Sequence, residues 1–314
     1  MGTPDFAVET LSALVENQYN VVGVVTQPDK PVGRHGSILQ PSAVKQYALA
    51  HGLPVLQPER MKDPAFLERL AAWRANLQVV VAFRMLPEVV WAMPDYGTFN
   101  VHAALLPQYR GAAPINWAVI NGETRTGVTT FFLDQQIDTG RIILQLPFDI
   151  PDSADVEYVY DGLMHLGACI CLKTLDLIIQ SDGHPQSIPQ SADTTDLKPA
   201  PKIFKDTCRI SWQQSAKRIY DFVRGLSPYP GAWTTLVDGD GNEQVLKLFH
   251  TTKTQLSATQ FRPGLVIPDG RRHLYVATAD HLLQIDELQL AGKKRMETTA
   301  FLNGIKEIEN YFLI

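Results

Sequence analysis

The sequence is poor in the features that would mark a secreted scaffold, a membrane protein or a dinucleotide-binding dehydrogenase. Three cysteines in 314 residues, Cys169, Cys171 and Cys208, cannot build a disulfide framework. Cys169 and Cys171 fall in an apolar helical stretch and read as reduced core thiols. A zinc site at that pair would need further His or Cys ligands nearby, and none stands there, so no metal is expected. No apolar run approaches the length of a membrane span, and no basic start with an apolar core opens the chain. Met1-Gly2 begins like a myristoylation signal, but Phe6 stands where Ser or Thr is needed. No GxGxxG follows a strand, which disfavours a dehydrogenase. The expectation is a soluble, cytoplasmic protein, monomeric and without a membrane partner.

What is present suffices for a folded enzyme. A hydrophobic content of 45% supports a buried core, and 314 residues suit two domains. The net charge of −5 is uneven: residues 1–201 carry −8 and residues 202–314 carry +3. That asymmetry puts any polyanion mainly on the C-terminal side, although +3 over such a length is also ordinary surface.

The first part alternates strands and helices. Thr3-Pro4-Asp5 predicts a helix start with Thr3 as cap, Pro4 at the first helical position and Asp5 at the positive end of the dipole. Val21 to Thr26 is a β-branched run of the kind buried in parallel sheets. A Gly/Pro-rich loop spans Gln27 to Pro41. Helices are predicted over Ser42–Ala50, Ala65–Trp73, Pro114–Ile120 and Val156–Ile179. Strands are predicted over Leu53–Leu56, Leu77–Phe83, Thr98–Val101, Thr126–Leu133 and Arg141–Phe148. This order implies an α/β, mostly parallel, doubly wound sheet with its site at the carboxyl ends of the strands. Such a sheet should begin with a strand, yet the chain opens on a loop and a helix start. The expectation is that a short apolar strand belongs immediately before Met1, because losing a central strand would expose two ladders of backbone groups.

Ser181 to Pro201 is rich in Ser, Pro, Gln and Asp and reads as a linker. Beyond it, a helix over Ser215–Leu226 precedes short strands at Ala232–Val237, Val245–His250, Gly264–Ile267, Leu274–Ala277 and Leu282–Leu290. A helix follows at Thr298–Gly304. Five short strands in about 100 residues suggest a small barrel of oligonucleotide/oligosaccharide-binding (OB) type. The resulting domains are 1–180, a linker over 181–204, and 205–314.

Asn100, His102 and Asp138 are the residues that suggest chemistry. Asn100-Val101-His102 ends an apolar run, and Asp138 lies in Ile137-Asp138-Thr139-Gly140. An amide can donate to a developing oxyanion, an imidazole titrates near neutral pH, and a carboxylate can hold a proton or orient a base. Together they suit acyl transfer. Taken singly, an Asn or His at a strand end is more often a turn residue.

The segment from Asn100 to Pro114, NVHAALLPQYRGAAP, closely resembles the NxHxSLLPxxRGAAP signature of folate-dependent formyltransferases. Asp138-Thr139-Gly140 matches the family's second signature. Thr26 to Arg34, Arg224 to Ala232 and Leu290 to Met296 resemble the branch of that family that acts on the methionyl group of initiator tRNA. The likeness runs over essentially the whole chain. It implies a Rossmann-like catalytic domain and an OB-like C-terminal domain, with 10-formyltetrahydrofolate as donor and initiator Met-tRNA as acceptor. Asn100 would donate to the formyl oxygen, His102 would share that role or move protons, and Asp138 would orient His102. Ala104, Leu105, Leu106 and Pro107 would line the folate pocket, with Ala104 where the family usually has Ser. Phe83, Met85 and Leu86 would wrap the pteridine ring. Arg84 stands there in place of a common Gly and reads as solvent-facing, and Arg110 reads as a salt-bridge partner holding its loop. Arg34 would contact the tRNA acceptor end, but the next residues, His35-Gly36-Ser37-Ile38, lack the family's two lysines. Lys293, Lys294 and Arg295 could supply backbone contacts instead, or form a solvated turn. Formyltransferases that act on nucleotide-linked amino sugars are the alternative, and a non-enzymatic RNA-binding protein is a third reading that the trio disfavours.

Overall fold

A computed structural model describes residues 1–32, 38–191 and 195–314. The chain divides into two compact units, residues 1–114, 125–149 and 160–200 in one and residues 115–124, 150–159 and 201–314 in the other.

The first unit is Rossmann-like. Its elements are α1 (Asp5–Glu16), β1 (Val24–Val25), β2 (Lys30–Val32), β3 (Ile38–Gln40), α2 (Ala43–Ala50), β4 (Val55–Leu56), α3 (Pro64–Ala72), β5 (Gln78–Val81), α4 (Glu88–Trp91) and β6 (Thr98–His102). After α5 (Pro114–Ile120), which falls almost wholly in the second unit, come β7 (Arg125–Phe132), β8 (Ile142–Asp149) and α6 (Val156–Gln180), whose first four residues also fall in the second unit. β1 pairs in parallel with β4, and β5 with β6. Met1 and Gly2 stand between the two pairs: Gly2 N–H donates to Val25 O at 3.1 Å, and Val81 N–H donates to Met1 O at 2.9 Å. Beside them lies a cavity of about 510 Å³ lined in part by Leu14, Val22, Trp73 and Leu77. Antiparallel β7 and β8 extend the sheet beyond β6.

Several local expectations change. Thr3 does not cap α1: Pro4 holds the cap position without a side-chain bond, and the Thr3 hydroxyl is buried without a partner. The strand expected over Val21–Thr26 shrinks to Val24–Val25, and Gly23 before it lies close against the Trp73 ring. The Gln27–Pro41 loop contains the β2–β3 hairpin, while Arg34 lies outside the described residues. Ser42 caps α2 by accepting from Lys45 N–H, and Asp63 caps α3 with Pro64 in its first turn.

Helix α6 corrects the expectation about long apolar runs. By length and composition its 25 residues could cross a membrane. Here one face packs on the sheet: Phe148 sits against Gly162, Phe6 and Val101 approach Gly167, and the Thr174 and Thr130 hydroxyls share a 2.7 Å bond. Interspersed Asp161, His165, Lys173 and Asp176 hide the run from a reading that looks for uninterrupted apolar residues. Cys171 is buried as expected, and burial pushes its thiol up to about 12, but Cys169 is exposed.

The second unit holds α7 (Ala216–Arg224), β9 (Ala232–Val237), β10 (Glu243–Ser257), β11 (Val266–Asp269), β12 (His273–Ala277), β13 (His281–Leu290), β14 (Met296–Glu297), α8 (Thr298–Gly304) and β15 (Phe312–Leu313). The antiparallel order is β11-β12-β13-β10-β9-β15, with β14 on β13. A bridge between Leu265 and Phe312 links the two ends of this sheet, giving the expected barrel-like closure. Trp212, Ile219, Leu248, Leu283 and Ile285 lie in its core.

Candidate active site

Asn100 and His102 alternate onto the same face of β6, while Phe99 and Val101 turn to the buried side. His102 is 6% exposed. Its Nε2 lies 2.9 Å from the Tyr109 carbonyl. A carbonyl oxygen only accepts, so a neutral His102 carries its proton on Nε2 and leaves Nδ1 as the basic nitrogen. Nδ1 faces Asp138 Oδ2 at 3.9 Å, too far for a hydrogen bond. Tyr109 thus orients the ring, correcting the expectation that Asp138 does so. The Asp138 carboxylate is itself held by the Gly111 N–H at 2.9 Å.

The route by which Asp138 arrives was not expected. His102 pairs with Thr129 and Phe99 with Phe132, so β7 runs opposite to β6. The loop after β7 therefore begins at the amino end of β6, and Asp138 reaches His102 by returning across the sheet. It does so in the left-handed region, at φ 56°. Tyr109, at φ 60°, and Ala82, at φ 45°, share that conformation. These are three of the seven left-handed non-glycine residues among the described ones; Gln18, Arg74, Asp182 and Glu307 lie on other turns.

The turn at residues 104–107 is braced from below. The Thr129 hydroxyl donates to Ala104 O at 2.6 Å and accepts from Leu106 N–H at 3.1 Å. Gln145 Nε2 donates to Leu106 O at 2.8 Å and to the Thr129 hydroxyl at 2.9 Å. Ala104 and Leu106 are buried, backbone and side chain alike, whereas Leu105 and Pro107 are half-buried. On the neighbouring loop, Phe83 is half-buried, Met85 is 72% exposed and Leu86 belongs to the core. Arg84 is not solvent-facing as expected. Its guanidinium donates to the carbonyls of Pro58 and Glu59, and its Nε is buried without a partner. Asn100 Oδ1 is likewise buried and unpartnered. Two orphaned polar atoms, one on β6 and one on the loop after the neighbouring β5, suit a site that completes its hydrogen bonds with a polar ligand.

Part of the stretch read as a linker is bound to the first unit. Ile188 and Ile142 exchange two 2.8 Å backbone bonds, and Ala200 O accepts from the N–H groups of Ala112 and Ala113. Arg110 donates from Nε and Nη2 to Gln190 Oε1, at 3.1 and 2.6 Å. Tyr109, Gly111, Thr129, Gln145 and Gln190 are the residues that sequence reasoning missed. Tyr109 and Gly111 act through backbone groups inside the motif, and Gln190 stands in a polar stretch with no pattern.

In the second unit, Lys293, Lys294 and Arg295 are exposed on the turn between β13 and β14. Arg295 pairs with Glu287 and stacks 4.3 Å over the Phe249 ring. No group of metal-binding side chains occurs among the described residues.

Residues 1–175 match the family model described as formyl transferase, and residues 202–306 match the one described as formyl transferase, C-terminal domain. A methionyl-tRNA formyltransferase of Parabacteroides distasonis is 62% identical over 314 residues, covering 99% of this chain and 96% of that one. Another, of Bacteroides fragilis, is 56% identical over 313 residues, covering 99% and 95%. Among solved structures, a sugar 3N-formyl transferase with dTDP and 5-N-formyl-THF has a TM-score of 0.65 at 18% identity, over 93% of this chain and 97% of that chain. The methionyl-tRNA formyltransferase from Clostridium thermocellum has a TM-score of 0.53 at 15% identity, over 81% and 91%. At these identities the two structures speak for the fold alone.

Proposed function

The chain belongs to the formyl transferase family, and from that membership we propose how its residues act. It transfers a formyl group from 10-formyltetrahydrofolate to the α-amino group of methionine on initiator tRNA, supporting translation initiation. The observation that carries this reading is 62% identity to a methionyl-tRNA formyltransferase along 99% of the chain. Its setting is the cytoplasm, and it acts as a monomer.

The folate donor supplies an activated formyl carbonyl. The residues fit it: Phe83, Met85 and Leu86 lie on one strand-end loop, Leu105 and Pro107 on the next, and the unpartnered atoms of Asn100 and Arg84 have bonds left to make. The Asn100 amide donates to the formyl oxygen as charge develops there, an interaction worth ~2.7–4 kcal/mol of barrier when removed. His102 Nδ1 takes the proton released by the attacking amine and returns it to N10 of the donor as the formyl C–N10 bond breaks and tetrahydrofolate leaves, with the nearby Asp138 carboxylate stabilising the imidazolium in between. An amine is nucleophilic enough to need no covalent enzyme intermediate.

The acceptor tRNA is held through phosphate contacts from Lys293 and Lys294, with Arg295 placed by Glu287 and Phe249. Arg34 contacts the acceptor end. The test is formyl transfer from 10-formyltetrahydrofolate to charged initiator tRNA, compared with transfer to amino-sugar nucleotides. Transfer to tRNA alone is expected; preference for the sugar acceptor would overturn the reading.

A further inference from the structure

We propose that Gln190 is a positioning residue that sets the Asp138 carboxylate against His102 and couples it to Arg110, a step that rests on the roles given above to His102 and Asp138. Three observations lead to it. First, Asp138 needs an external hold. Its loop returns from the far end of β6, and its backbone sits at φ 56°, in the left-handed region that Asp tolerates better than most residues but still at a cost its contacts must offset.

Second, Gln190 supplies that hold with its whole side-chain amide. Nε2 donates to Asp138 O at 2.9 Å and to Gly140 O at 2.8 Å. Oε1 accepts both Arg110 bonds. The two carbonyls can only accept and the guanidinium can only donate, so the amide has one workable orientation. A flipped amide would set donors against donors.

Third, the bonds close into a ring. Gln190 fixes the Asp138 backbone, and the Gly111 N–H fixes the Asp138 carboxylate at 2.9 Å. Gly111 follows Arg110, which Gln190 also holds. Tyr109 precedes Arg110, and its carbonyl sets the His102 tautomer. One side chain from outside the two signature segments therefore ties both segments together. The neighbouring Arg141 bonds to Ser187 and the Ile188–Ile142 bridge anchor this part of the chain, so Gln190 arrives at a defined position.

Two variants separate positioning from mere attachment. Gln190→Met keeps the length and removes every polar interaction. Gln190→Glu keeps the acceptor for Arg110 but sets oxygen against the Asp138 and Gly140 carbonyls. Turnover is measured with 10-formyltetrahydrofolate and charged initiator tRNA. Both variants are expected to lose kcat on the order of 100-fold, the effect of a catalytic group displaced by about 1 Å, while both KM values stay within about threefold. Gln190→Glu should melt near the wild-type temperature. On the same samples, exchange of the Gly111 amide hydrogen should accelerate at least about tenfold as its bond to Asp138 loosens.

Wild-type kcat in a folded Gln190→Glu, or an unchanged Gly111 amide in either variant, overturns the proposal. Should the wild-type chain transfer no formyl group to tRNA, the functional reading fails instead, and Gly111 exchange still decides whether Gln190 places Asp138.

Discussion

His102 takes its orientation from a backbone carbonyl, and that choice decides which nitrogen can act. With Nε2 committed to Tyr109, the basic Nδ1 faces the Asp138 carboxylate. Replacing His102 with Ala should abolish formyl transfer while the melting transition persists, and wild-type turnover in that variant would remove the residue from the site. Asn100→Ala should lower kcat by about 100- to 1,000-fold, the usual effect of losing one oxyanion donor. A change confined to KM would assign Asn100 to binding alone. Thr129→Val keeps the shape but strands the Ala104 carbonyl and the Leu106 N–H, two buried groups. Denaturant titration should show a loss of about 1–3 kcal/mol, with a raised KM for the folate donor. Asn100 and His102 are legible in sequence because their chemistry and spacing are unusual. Thr129 is not legible, since a Thr inside a strand reads as ordinary β-branched packing and its hydroxyl partners come from 16, 23 and 25 residues away.

Among the elements, the stretch after α6 changed most between sequence and structure. Its Ser, Pro and Gln content describes a chain with little apolar area to bury, which normally means a linker. Backbone and amide bonds hold parts of it to the first unit instead, and hydrophobicity gives no sign of such bonds. Gly111 leaves no room beside it: at φ 129°, an added Cβ would meet Ala200 O at 2.4 Å. Gly111→Ala should therefore displace residues 198–200, detectable as faster proteolysis between residues 187 and 200 together with reduced turnover. In the second unit, α7 carries a buried pair in which Arg224 Nε bonds Asp221 Oδ1 at 2.8 Å and Arg224 Nη1 bonds Ala154 O at 2.7 Å. Arg224→Leu leaves the Asp221 charge in a buried setting with Lys217 as its remaining ionic partner. The expected cost is about 3–5 kcal/mol, read from the shift of the denaturation midpoint at constant slope. The motif around Arg224 was visible in sequence, but its structural use was not, because Ala154 lies 70 residues earlier.

At the scale of the molecule, the uneven charge predicts a division of labour. The more acidic front half carries the candidate chemistry, and the C-terminal unit carries the exposed cations Lys293 and Lys294. Replacing both lysines with Ala should raise the KM for charged tRNA and flatten its salt dependence, by a slope change of about 0.7–0.9 for each phosphate that is no longer neutralised. The KM for 10-formyltetrahydrofolate should not move. An equal rise in both would remove the lysines from tRNA binding.

By itself the sequence determined the α/β class, the antiparallel barrel-like domain and the family, and it named all three candidate residues, Asn100, His102 and Asp138, because periodicity and short motifs are local and survive without coordinates. Only the tertiary structure decided how the third member arrives. An antiparallel β7 sends the Asp138 loop back across the sheet, and hydrogen bonds from Gly111 and Gln190 hold it there. Strand direction and long-range hydrogen bonding depend on partners far apart in the chain, and no local pattern encodes them.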